Sequence, residues 1–213
     1  MKNNTSTMSF TECFELIQKL RNDLSQEIFG QQEFIDEALS TFLVSGHILI
    51  TGVPGIAKTT LVRLFSCHLG LSFGRIQFTP DLLPSDITGG EILQKNTHDE
   101  RNEFEFSKGP IFVNLLLADE INRASPRTQS AMLEAMQERN VTSNGHLYTL
   151  PKPFMVFATQ NPLDHEGTFS LPEAQLDRFI IHSIIKYPSA EAELEIIKKH
   201  DQNRLIGENN FSK

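Results

Sequence analysis

Between His47 and Leu69 the chain passes from an apolar, β-rich run (His47-Ile48-Leu49-Ile50-Thr51) through a glycine-bearing loop into an amphipathic helical pattern. This succession constrains the fold more than any other segment, because a buried strand, a tight loop and a returning helix make up an α/β unit. The loop reads Gly52-Val53-Pro54-Gly55-Ile56-Ala57 and runs into Lys58, Thr59 and Thr60. Its glycines let the backbone turn tightly enough for N–H groups to face a β-phosphate, and the polarity of the following helix adds partial positive charge there. Lys58 supplies a full charge to the β and γ phosphates, and Thr59 a hydroxyl for Mg²⁺. One position departs from the pattern G-x-x-x-x-G-K-[ST]: Ala57 stands where glycine belongs. A methyl is tolerable there if the residue is already helical. The plain alternative is a Gly/Pro turn followed by a surface lysine.

The helix after the loop is expected over Lys58–Leu69, with Leu61, Leu64, Phe65 and Leu69 on one face and Gly70 as its stop. Upstream, Phe10, Phe14, Leu16, Ile17 and Leu20 mark a helix over 9–22, and a shorter helix covers Gln31–Leu43. Downstream, strands are expected at Ile76–Thr79, Ile111–Ala118, Phe154–Thr159 and Phe179–Ile185, and helices at Ser125–Glu138 and Pro172–Arg178. Ser125 reads as an N-cap with Pro126 at the first helical position, and Met132, Leu133 and Met136 point inward. The nearly unbroken apolar run Ile111–Ala118 is what a parallel sheet covered on both faces requires. The expected fold class is a three-layer α/β unit around a central parallel sheet.

That apolar run ends in Asp119-Glu120. Two carboxylates at the C-terminal end of a buried parallel strand stand in the crevice where α/β folds bind ligands. There Asp119 would hold Mg²⁺ through its water shell, and Glu120 would polarise an attacking water as general base. Alone, the pair also fits a strand ending in solvent; downstream of a phosphate loop it reads as hydrolytic. A neighbouring strand ends in Gln160-Asn161-Pro162, whose amide can orient that water, although Asn-Pro by itself is a turn signal.

Charge and cysteine usage narrow the partners. With 27 acidic against 19 basic side chains the net charge is −8, which speaks against duplex nucleic acid as the main partner. Cys13 and Cys67 lack metal-ligand or CxxC spacing and read as reduced thiols. No signal-peptide core opens the chain, and no apolar stretch approaches the roughly 18 residues of a membrane span. A cytoplasmic protein is expected. The histidines at 47, 68, 98, 146, 165, 182 and 200 are scattered without ligand spacing and are expected mostly at the surface.

Taken together, these segments resemble the AAA+ ATPases, and within them the MoxR family closely. The matching stretches are Gly52–Thr59, Thr79–Gly89, Lys108–Gln137 and Ala158–Phe179, within a likeness over roughly residues 14–200. The family carries alanine at the position of Ala57. The resemblance implies an ATP site with Mg²⁺, in which Lys58 and Thr59 match the Walker A pair and Asp119 and Glu120 the Walker B pair. Asn161 matches sensor 1, and Arg178, in Leu176-Asp177-Arg178-Phe179, matches the arginine finger that reaches a neighbouring subunit's γ-phosphate. Such a finger contributes about 10³–10⁵ in rate. Without the resemblance, Arg178 reads as a helix-end arginine favoured by the dipole. Ile28, Gly30 and Gln31 are the implied adenine-pocket residues, and Arg123 is a further candidate for contact with a neighbouring subunit.

Glu91–Phe106 and Val141–Leu150 look like the family's inserted hairpins, the second around Asn144-Gly145, a two-residue hairpin signal; two plain solvent-exposed hairpins also satisfy the pattern. For the intact protein the resemblance implies a homo-oligomeric, hexameric ring that remodels or matures protein clients, among them von Willebrand factor A domain proteins. The expected organisation is an N-terminal helical arm over 1–25, the AAA+ core over 26–188 and the start of a helical lid over 189–213, with a helix at Ala190–His200. The rest of the lid is expected to be absent, which predicts weak nucleotide affinity and slow turnover. An ATP-binding module without effective hydrolysis is the alternative. A GTPase would need an Asn-Lys-x-Asp segment, and none occurs.

Overall fold

The computed structural model describes residues 9–28, 30–52, 58–95, 102–161 and 167–185. They fall into two compact units, one ending at Leu39 and the other spanning Ser40–Ile185, which are described in turn.

In the first unit, α1 (Phe10–Glu27) opens on a capping box in which the Ser9 hydroxyl accepts from the Glu12 N–H and the Glu12 carboxylate accepts the Ser9 N–H at 2.8 Å. The helix runs past the expected end at 22 because no glycine or proline interrupts the chain before Gly30, and Leu24 is buried on it. Gly30, at φ 71°, separates α1 from α2 (Gln32–Leu43). Arg21 clamps Asp36 with two N–H donors at 2.5 and 2.7 Å, tying the two helices together.

The second unit runs β1 (Ile48–Gly52), α3 (Lys58–Leu69), β2 (Phe73–Gln77), α4 (Pro84–Thr88), β3 (Gly89–Lys95), β4 (Asn102–Lys108) and β5 (Leu115–Asp119). A 3₁₀ turn (Ile121–Arg123), α5 (Pro126–Glu138), β6 (Asn140–Ser143), β7 (His146–Thr149), β8 (Met155–Gln160), α6 (Glu173–Leu176) and β9 (Ile181–Ile185) follow. Five strands form one parallel sheet in the order β2-β5-β8-β1-β9. Successive residues of a strand face opposite sides. Leu49, Leu116, Ala118, Val156 and Ala158 pack in one cluster with Met132, Leu133 and Met136 of α5. On the other face Phe157 meets Phe65 of α3 edge-on at 5.9 Å. This gives the three layers the alternation predicts, with β1, β5 and β8 buried almost throughout.

Several boundaries differ from expectation. The strand expected at Ile111–Ala118 begins only at Leu115, because Gly109 to Asn114 is spent on turns: Phe112 N–H bonds the Gly109 carbonyl at 3.2 Å and Val113 N–H the Ile111 carbonyl at 2.8 Å. Asn114 closes that turn, accepting the Ser72 hydroxyl at 2.8 Å and donating to the Pro153 carbonyl at 2.8 Å. Ile111 is nonetheless fully buried, which explains its apolar character. β2 lies upstream of the expected Ile76–Thr79, since its pairing with β5 starts at Phe73 and ends at Gln77 opposite Asp119. α6 keeps only four residues of the expected Pro172–Arg178. On α3, Leu61, Val62 and Phe65 are buried, whereas Leu64 and Leu69 are half-exposed.

Both hairpins form: β3 pairs antiparallel with β4, and β6 with β7 around Asn144 (φ 47°) and Gly145 (φ 78°), the two left-handed residues of a tight hairpin turn. Phe106 of β4 stacks on Tyr148 of β7 at 3.7 Å, so the two hairpins are joined.

Candidate active site

A parallel sheet brings the C-terminal ends of its strands to one edge. Register places Gln77 opposite Asp119 and Thr51 opposite Gln160, so β1, β2, β5 and β8 deliver Gly52, Gln77, Asp119 and Gln160 to the same edge. This is the crevice side of an α/β sheet.

Asp119 is the last residue of β5, and Glu120 turns the chain sharply with φ 58° and ψ 47°, a left-handed conformation uncommon for a residue with a side chain. Thr159, fully buried on β8, supports both. Its hydroxyl donates to Asp119 Oδ1 at 2.6 Å and accepts the Glu120 N–H at 2.9 Å. The second oxygen of Asp119 accepts from the Arg75 guanidinium at 2.7 Å. Glu120 Oε2 accepts from Gln77 Nε2 at 2.7 Å and pairs with Arg123 Nε at 3.1 Å. Every one of these partners comes from the neighbouring strands or the 3₁₀ turn directly after the pair.

Lys58 opens α3, and its ammonium donates to the Gly52 carbonyl at 2.9 Å, bridging the end of β1 to the start of the helix. Partial burial pulls its pKa below the ordinary lysine value, while the negative charges of Asp119 and Glu120 push it back up. Lysine and acid pair therefore share one electrostatic neighbourhood. Thr59 is half-buried in the first turn of α3 and Thr60 is exposed beside it. Val53, Pro54, Gly55, Ile56 and Ala57 lie outside the described residues, as do Pro162 and the expected helix at 190–200.

Asn161 follows directly on β8 at the same sheet edge and is half-buried. Arg178 is held away from the acid pair: it donates to Gln137 Oε1 at 3.2 Å and to the Ala174 carbonyl at 3.1 Å. It borders a cleft of about 480 Å³ that also touches Ser45, His47, Arg139, Asp177 and Ile180. Ile28, Gly30 and Gln31 belong to the first unit, where Ile28 caps α1 and the Gln31 carbonyl accepts the Ile35 N–H at 3.0 Å. His47 departs from the surface expectation. It is buried, donates from Nε2 to the Met136 carbonyl at 3.1 Å and accepts the Val156 N–H at Nδ1 at 3.0 Å. His68, His146 and His182 are exposed as expected, and the other three histidines lie outside the described residues.

The residues fit a small hard cation. Thr59 and Asp119 offer oxygen only, and no cluster of three or more His, Cys, Asp or Glu side chains occurs among the described residues. Mg²⁺ is commonly held by one or two protein oxygens together with phosphates and water, a donor set that Thr59 and Asp119 would suit. Sequence reading missed Thr159, Arg75 and Gln77. Their signal was weak: an Arg-Ile-Gln alternation on one strand, and a threonine just before the polar tip of another.

Comparison with known proteins follows the same lines. Residues 47–181 match the model of the ATPase family associated with various cellular activities. The Mycobacterium tuberculosis protein named chaperone MoxR1 is 49% identical over 82% of this chain and 45% of its own length. The uncharacterized Bacillus subtilis protein YeaC is 47% identical over 90% of this chain and 58% of its own. A solved structure of a candidate ATPase from Cytophaga hutchinsonii superposes with a TM-score of 0.75 at 43% identity, covering 90% of this chain and 59% of that one. The chain thus spans about half the length of the curated relatives it matches. Among the described residues no helix is long and apolar enough to cross a membrane.

Proposed function

This chain belongs to the MoxR type of AAA+ ATPases, and from that premise we propose that it binds ATP at the edge formed by β1, β5 and β8 and hydrolyses it with Glu120 as general base. The observation that carries the reading is the acid pair at the tip of β5, clamped by Thr159 and facing the charge of Lys58. Gly52, the loop 53–57, Lys58, Thr59 and Thr60 bind the phosphates. Thr59 and Asp119 hold Mg²⁺, which when bound neutralises phosphate charge.

Glu120, set in its left-handed turn, accepts the proton of the attacking water, and Asn161 orients that water. Lys58 stabilises the charge that develops on the transferred phosphoryl group. Arg178, whose donors face a cleft apart from the acid pair, serves the site of an adjoining copy. In the whole protein these copies form a homo-oligomeric ring, hexameric by family resemblance. The ring works on protein clients, of which von Willebrand factor A domain proteins are the leading class; the relative named a chaperone supports that reading.

A second reading is a nucleotide-binding module that does not hydrolyse effectively. It draws on the engagement of Glu120 by Gln77 and Arg123, since a carboxylate so held is poorly placed to take a proton. Single-turnover hydrolysis at high protein concentration separates the two. The active enzyme converts bound ATP to ADP and Glu120→Gln holds it unconverted at similar affinity. Loss of binding in Glu120→Gln would instead assign that residue a structural role.

A further inference from the structure

Arg75 stands on β2, an edge strand of the described sheet, with its side chain 47% exposed. One guanidinium nitrogen lies 2.7 Å from Asp119 Oδ2 and 2.7 Å from Gln77 Oε1. Oδ1 of Asp119 already accepts the Thr159 hydroxyl, so a cation that approaches the carboxylate at Oδ2 meets the Arg75 guanidinium there. By holding the Gln77 carbonyl, Arg75 also fixes that amide with its nitrogen toward Glu120 Oε2. A single arginine therefore neutralises the metal-side carboxylate and orients the group that ties down the other one.

Resting on the nucleotide reading above, we propose that Arg75 is a resident counter-ion that occupies the cation's place on Asp119 and competes with the divalent metal for it. Arg75 is a positioning residue: it keeps two adjacent carboxylates from repelling each other when no metal is bound. It also raises the metal concentration at which the nucleotide site assembles. Arginine cannot shed its proton at working pH, so only displacement frees the carboxylate. The Arg75 side chain is half-exposed while that of Asp119 is only 16% exposed, so solvent screens the pair from the arginine's side and the competition stays reversible.

The test is a Mg²⁺ titration of fluorescent ADP binding, with Mn²⁺ binding followed in parallel by electron paramagnetic resonance, neither of which depends on turnover. Arg75→Met should lower the midpoint for both metals about three- to tenfold, and Arg75→Gln, which keeps a polar chain on the exposed edge, should do the same. Arg75→Lys, which restores the charge, should stay within about twofold of the unaltered protein. Neutral variants with an unchanged or raised midpoint overturn the proposal, since Arg75 would then be inert or would aid the metal–nucleotide complex. Binding of ADP with no dependence on Mg²⁺ overturns the Arg75 proposal alone, whereas no ADP binding by the unaltered protein brings down the nucleotide reading itself. That failure shows before any variant is made.

Discussion

The hydroxyl of Thr159 touches both acidic residues, giving its proton to Asp119 and accepting the Glu120 N–H. Thr159→Val keeps the shape and removes both bonds, leaving the Glu120 N–H without its partner in a backbone conformation that needs support. The expected cost is about 1–3 kcal/mol of stability, read from a urea midpoint, with a roughly ten- to hundredfold fall in turnover. Unchanged turnover would mean that the acid pair positions itself. His47 offers a second test at this scale. Burial, and then the nearby Arg139 charge, lower its pKa from 6.5 to about 4. The unfolded chain therefore binds a proton that the folded one refuses. His47 contributes its full stability above pH 6.5 and loses roughly 3 kcal/mol as pH falls to about 4. The stability difference between the unaltered protein and His47→Gln should shrink across that window, and a constant difference would contradict the assignment. The acidic residues and the lysine were legible in the sequence because each ends or begins an element. Thr159, Arg75 and Gln77 were not, since their roles arise only when β2 and β8 lie on either side of β5.

At the scale of elements, periodicity placed β1, α3, α5 and β8 within a residue or so, because each buries a regular set of apolar residues and has glycine, proline or a cap near one end. It failed where apolar residues serve a turn. Ile111 is buried by a loop that returns along α4, its N–H bonding the Ile87 carbonyl at 3.3 Å, so an apolar run overstated the strand. The short α6 was overestimated because the turns after it, at Asp177 and Arg178, look helical in sequence. The first hairpin depends on Gly89, where α4 gives way to β3 at φ 82°. A Cβ at that position would overlap the Ser107 carbonyl and the Gly109 nitrogen, both backbone atoms that cannot swing aside. Gly89→Ala should cost at least about 2 kcal/mol in chemical denaturation. A loss below half that value would show that the strand pair shifts to make room.

At the scale of the whole molecule, the order β2-β5-β8-β1-β9 explains why residues so distant in sequence meet. The crossover from β1 through α3 to β2 passes over two positions of the sheet, leaving β5 and β8 to fill the gap between β1 and β2. Lys58, Asp119, Glu120 and Asn161 then stand at one edge, while Arg178 is tethered to Gln137 on α5 and lines a separate cleft. On this account one copy carries the acid pair and another the arginine that completes it. The most direct measurement is Mg·ATP turnover per subunit over a wide range of protein concentration, for the unaltered chain and for Glu120→Gln. The account predicts a rate that climbs with concentration, and at least about a hundredfold loss in the variant while nucleotide binding persists. A variant that turns over as fast as the unaltered chain would contradict the central claim that Glu120 performs the chemistry.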